Sequence, residues 1–202
     1  CATTAHGMLE SVLGLVREHG LRASDVEGIV GIQPPWSASA NEKPKAGASQ
    51  IAAQYGPRTI LATALVRGKY ELEETHLDPE DLALVRKFAE ERIEIQADER
   101  LARIRDESRP LVDPVSPGET GRTSPGAAEI VLKDGSRLFK EVLFPLGSPR
   151  NPMNEAALRK KFDRLVLRSG ICEADAANSI WNTVGALTED VPVAELMEKL
   201  RR

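Results

Sequence analysis

Residues 130–142 carry the pattern that most restricts what this chain can become. Ile130 and Leu132 precede Lys133, Asp134, Gly135 and Ser136, and Leu138 and Val142 follow. Asp-Gly between two alternating runs predicts a two-residue β-hairpin turn with both turn residues at positive φ. Such a hairpin excludes an all-helical chain. Ile29, Val30 and Ile32 predict another strand, and Ile93 and Ile95, alternating with charged or polar neighbours, predict one that is half exposed. Strands at 28–32, 92–97, 128–133 and 137–143, interspersed with helices, make a small-sheet domain of the α+β class.

The helical signals are as specific. Leu9, Val12, Leu13 and Val16 recur at helical spacing and predict a helix from about Gly7 to His19, stopped by Gly20. Ser24 followed by Glu27 reads as a capping box for a short turn. Periodicity lapses from Gln33 to Ser49, where Pro34, Pro35 and Pro44 mark a long loop. A helix then begins at Ser49, breaks at Gly56-Pro57 and continues through Ile60, Leu61, Ala64 and Leu65 to Gly68. The break exposes backbone groups around Tyr55 to Thr59. Asp78 as N-cap and Pro79 at the first helical position start another helix, with Leu82, Val85 and Phe88 inward. Prolines and glycines crowd Ser108 to Gly126, which reads as a surface loop.

After GSPRNP, residues 147–152, the pattern changes to helix only. Asn154 caps a helix with Leu158, Phe162, Leu165 and Val166 on one face. Ala177, Ile180, Trp181 and Val184 make a second, and Leu196, Met197 and Leu200 a short third. The expected boundary therefore lies between residues 152 and 153.

Charge and cysteine usage remove several classes of function. A net charge of −4 gives no electrostatic reason to bind nucleic acid or an anionic membrane. No apolar run approaches the roughly 18–20 residues of a membrane span. Cys1 and Cys172 have no metal-ligand spacing and suit a reducing, cytoplasmic setting. His6, His19 and His76 are far apart and form no zinc motif, so no metal site is expected.

One position stands out before any comparison. His6 immediately precedes the first helix, where unpaired backbone N–H groups and the positive dipole end favour a carboxylate, and an imidazole can supply a proton near neutral pH. Its plainer reading is a solvated residue that begins a helix. Tyr55, Arg58 and Thr59 flank the helix break, and the planar fork of Arg58 suits a carboxylate. For these three the plainer reading is a surface beside a proline kink. Cys1 reads as an ordinary thiol without an activating base.

The segments CATTAHGMLESVLGLVREHG, VEGIVGI, ATALVRGKY, IVLKDGSRLFKEV and FPLGSPRNPMNEAALRKKFDRLV, in that order, resemble the C-terminal part of the MmgE/PrpD family. That family includes 2-methylcitrate dehydratase, cis-aconitate decarboxylase and iminodisuccinate epimerase. GSPRNP followed by a helix with Lys161-Phe162 is the most specific element of the resemblance. The resemblance implies an α/β lid over residues 1–152 and C-terminal helices, 153–202, that belong to an all-helical domain built mainly from sequence preceding Cys1.

Further expectations follow from the resemblance. It implies a homodimer without organic cofactor that performs elimination, decarboxylation or proton exchange beside a carboxylate of a small di- or tricarboxylic acid. His6 matches the family histidine that lines the site, and Tyr55 and Thr59 fall near the family's aromatic position. The alternative is a non-catalytic accessory or binding subunit that keeps the lid fold and pairs with a separate helical partner.

Overall fold

The computed structural model describes residues 3–35, 56–71, 76–107, 123–170, 172–186 and 193–200. The chain divides into two compact units, residues 1–152 and 153–202. The first is built on a mixed four-stranded sheet in the order β2-β1-β3-β4, of the α+β class. β1 is Val26–Gln33, β2 Ile93–Ala97, β3 Gly126–Leu132 and β4 Arg137–Val142. β1 and β2 are parallel, while β1 with β3 and β3 with β4 are antiparallel.

Alternation along the strands sorts the side chains into two layers. Ile29 and Gly31 of β1, Ile95 of β2, and Ala128 and Ile130 of β3 face α1 (His6–His19) and α2 (Pro57–Arg67). A Cβ on Gly31 would meet Leu61, Ile95 and the Met8 sulfur, so two helices and two strands converge there. Val85, Phe88 and Ala89 of α3 (Pro79–Glu91) close this core from outside α2. The other sheet face carries Glu94, Gln96, Glu129 and Glu141, and Phe139 is 58% exposed there.

The helix signals resolve into specific hydrogen bonds. Gly20 and Gly68 take left-handed φ of 62° and 64° and end α1 and α2, as their positions imply. The Asp78 carboxylate accepts the Asp81 N–H at 2.9 Å, with Pro79 at the first helical position of α3. α4, Glu99–Glu107, is an addition to the sequence-based expectation. Its apolar content is too low to show a stripe, and the burial of Leu101 anchors it.

Two turn expectations need correction. Glu27 makes no capping box with Ser24, because the strand has already begun at Val26. The Asp25 carboxylate instead accepts the Arg22 N–H at 2.8 Å. The hairpin joins β3 to β4 as expected, but Asp134 does not have positive φ, since every such residue among those described is glycine. Gly135 N–H donates to Leu132 O at 3.0 Å and Leu132 N–H to Ser136 O at 2.9 Å. This is a three-residue loop, a turn followed by Gly135 at φ 88°. The Ser136 hydroxyl and N–H donate to Asp134 at 2.6 and 2.8 Å and hold its carboxyl below the usual range.

The entry to α1 is fixed by backbone against backbone. Gly7 N–H donates to Ser124 O at 3.1 Å. A Cβ on Gly7 would lie 2.2 Å from Gly126 N, and one on Gly126 would lie 2.5 Å from Met8 N. Neither position tolerates a side chain. Farther along α1, Gly14 makes room for the Lys140 stem, whose ammonium pairs with Glu18 and holds that carboxyl below its usual range.

The second unit comprises α5 (Glu155–Ser169), α6 (Ala174–Gly185) and α7 (Val193–Leu200). The Asn154 carboxamide oxygen accepts the Ala157 N–H at 2.8 Å, the N-cap expected at that position. The Phe162 and Trp181 rings lie 5.3 Å apart, and the Arg159 guanidinium sits over Trp181. Leu158, Leu165, Leu167, Val193 and Met197 are exposed.

Gly126→Ala should destabilise the chain by about 1–3 kcal/mol, read by chemical denaturation, because backbone on both sides must move. Asp134→Ala tests the hairpin loop. A depressed native carboxyl contributes stability above its unfolded pKa and loses it as pH falls through the native pKa. The variant should therefore be less stable than wild type at neutral pH, with the difference vanishing in acid.

Candidate functional site

Sheet register places the candidate residues. Ile32 pairs with Ala127, so Gly126, one residue earlier in β3, lies level with Gln33. Gly126 abuts Gly7 and Met8, so α1 starts at the end of the sheet where β1 and β2 finish. His6, half-buried, opens α1 directly above that end. Ala5 precedes it without a side-chain cap, and the Gly7 N–H is already engaged by Ser124. The helix start thus offers less free hydrogen-bonding capacity than His6's sequence position suggests, with its dipole intact.

β4 continues into the GSPRNP segment, which forms a compact turn near the same helix. Gly147 N–H donates to Asn151 O at 2.7 Å, and the Asn151 side chain donates to Phe144 O at 2.9 Å. Arg150 stacks over the Phe144 ring at 4.9 Å. The Leu146 N–H donates to the Glu10 carboxylate at 2.8 Å. Glu10 lies one helical turn after His6, so this turn is tied to the helix that carries His6.

Arg58 and Thr59 lie in the first turn of α2, which starts after Gly56 with Pro57 at its first position. The Arg58 guanidinium donates to the Ile93 carbonyl, joining α2 to the start of β2, and its Nε is buried without a partner among the described residues. Ile93 pairs with Ile29, whereas α1 starts level with Gln33. At the usual rise per strand residue this separates the Arg58 contact from the start of α1 by about 13 Å along the sheet. The structure therefore does not bring the Arg58 guanidinium to the start of α1. Thr59 is half-buried, and its carbonyl accepts the Thr63 hydroxyl at 2.8 Å. Tyr55 and Cys1 lie outside the described residues.

Gln33 is the residue at this end of the sheet that sequence reasoning missed. It is 3% exposed and shares the parity of Ile29 and Gly31, so it faces the helix layer. That parity was a usable signal, since a polar residue in the inward phase of a strand is informative. Its carbonyl accepts the Asp98 N–H at 2.9 Å, which ties the ends of β1 and β2. Among the described residues no group of three or more His, Cys, Asp or Glu is arranged to hold a metal ion. No described helix is long and apolar enough to cross a membrane.

The MmgE/PrpD C-terminal domain matches residues 1–185. The chain belongs to the MmgE/PrpD family. The matched region includes all four strands, the helix opened by His6, the GSPRNP turn, and α5 and α6. No curated protein matches the chain. MmgE/PrpD membership associates it with a dehydratase or lyase family, of which it represents the C-terminal domain.

Arg58→Met should lower stability by about 1–2 kcal/mol, because it removes a charged donor from the carbonyl of the buried Ile93. Denaturant titration reads this. A substrate contact would show instead as a raised KM at unchanged stability.

Proposed function

We propose that this chain is the C-terminal part of a cofactor-independent lyase or isomerase acting on a small di- or tricarboxylic acid. Dehydration, decarboxylation and epimerisation beside a carboxylate are the reactions in view, with 2-methylcitrate and cis-aconitate as representative substrates. The observation that carries this reading is the MmgE/PrpD C-terminal domain match over residues 1–185. Residues 1–152 then serve as the lid, and residues 153–202 pack on a helical domain formed by other sequence, with the homodimer as the working assembly.

The chemistry needs a positioned acid or base, because removing a proton or carboxylate beside a carbonyl group develops enolate-like charge. His6 fills that role in this reading. Three features support it: its place at the opening of α1, its partial burial, and the anchoring of the next residue to Ser124 and Gly126. A base held by backbone contacts keeps its reach to the substrate, and misplacement by about 1 Å can cost 10²-fold in rate. Tyr55, from the sequence just before α2, and Thr59, in its first turn, are proposed contacts. Arg58 contributes through the Ile93 anchor that sets the start of that helix. Groups from the helical domain complete the site, so the reaction requires both domains.

His6→Asn in the full-length protein should lower kcat/KM for the best substrate of a polycarboxylate panel by about 10²-fold or more. Wild-type kinetics in the variant would remove His6 from the mechanism. Absence of turnover of every panel member by the wild-type protein would overturn the proposed reaction class.

A further inference from the structure

The geometry points to the sheet face opposite α1 and α2 as a surface that pairs with the same face of a second copy of this chain, each copy seating its Phe139 ring in a cleft of the other. The inference rests on the homodimer of the proposed function and adds the surface that forms it. Two features of that face carry it. Between β1 and β2 lies an open cleft of about 320 Å³, floored by Gly28, Val30 and Val131. Across the same face, on the edge strand β4, the Phe139 ring stands 58% exposed.

Register relates the two. Glu94, Val30, Glu129 and Phe139 form one row across the sheet, and Gly28, Val131 and Arg137 lie in the next. Cleft and ring therefore share their rows and sit on opposite sides of the sheet, about 12 Å apart at the usual strand spacing. A two-fold axis parallel to the strands and midway between them keeps the rows level and exchanges the sides. It lays the ring of each copy over the cleft of the other, the self-complementarity that an isologous contact requires. Charge agrees with this placement. The rim of the cleft carries Glu27, Glu91 and Glu94, of which Glu27 pairs with Arg92 at 3.5 Å. Arg137, two residues before Phe139 and on the same face, brings a cation to that acidic rim. Its guanidinium bonds Glu129 at 2.6 Å, and with five donors it can add a carboxylate of the other copy. An aromatic ring beside an arginine is the pairing that dominates such contacts, while the surrounding charges fix their register.

The test uses the full-length protein, with self-association read by sedimentation equilibrium. Wild type should be a dimer, and Phe139→Ser should weaken the association by 10-fold or more with an unchanged circular dichroism spectrum. Val30→Cys combined with Phe139→Cys in one chain should give, on mild oxidation, a covalent dimer whose peptide map joins position 30 to position 139. Within one chain these positions are about 10 Å apart across β3, too far for a disulfide, so the link reports the contact between copies. A monomeric wild type overturns the inference, as does an association that Phe139→Ser changes by less than twofold or a dimer without the 30–139 link. A Phe139→Cys thiol shielded from reagent in a monomer also overturns it, because another part of the same protein then covers the face. Turnover of the polycarboxylate panel is read separately. Activity in a protein that dimerises through a different face leaves the proposed reaction standing while this inference fails.

Discussion

Between Gly7 and Gly126 two stretches of main chain meet with no side chain between them, and the Gly7 N–H closes the contact on Ser124 O. A helix that rests on a sheet through side chains can slide or tilt by an ångström as its neighbours repack. A helix held by backbone contact and a hydrogen bond cannot do so without breaking the bond or colliding. The first turn of α1 is therefore fixed in height and register against the start of β3. The rest of the helix follows from that point, with Met8 reaching Gly31, Gly14 receiving the Lys140 stem and Glu18 pairing with Lys140.

The same contact decides what the candidate site contains. It puts His6 at the edge where β1 and β2 end and brings Gln33 into the neighbourhood through its register with Gly126. The GSPRNP turn joins α1 through Leu146 and Glu10. At the other end of β2, Arg58 is occupied with the Ile93 carbonyl, where it sets how α2 approaches the sheet. The residues with the most suggestive chemistry in the sequence thus divide between the end of the sheet where α1 starts and the end where Arg58 joins α2 to β2.

Much of this was legible in the chain because it is local. Caps, stops and breakers act within a few residues, so Asp78, Asn154, Gly20 and Gly68 mark their helices without reference to the rest of the fold. The hairpin was legible as a reversal, but not its loop type. Asp-Gly is compatible with two- and three-residue loops, and the choice rests on whether Leu132 closes on Ser136. α4 was missed because its stability comes from burying Leu101 and from Arg100 pairing with Glu141, a partner far away in sequence.

Family membership was also written in the sequence, in the order of segments from the His6 helix to GSPRNP, and so was the split into mixed and helical patterns. Which polar residues share an end of the sheet was not. That depends on strand order and register, which are set by pairing between segments distant in sequence, as when Ile29 of β1 takes Ile130 of β3 on one side and Ile93 of β2 on the other. Local chemistry specified the elements and the position of His6. Only the tertiary pairing separated Arg58 from the start of α1 and set Gln33 beside Gly126, because side-chain parity along a strand has no consequence until a neighbour defines which face is inside.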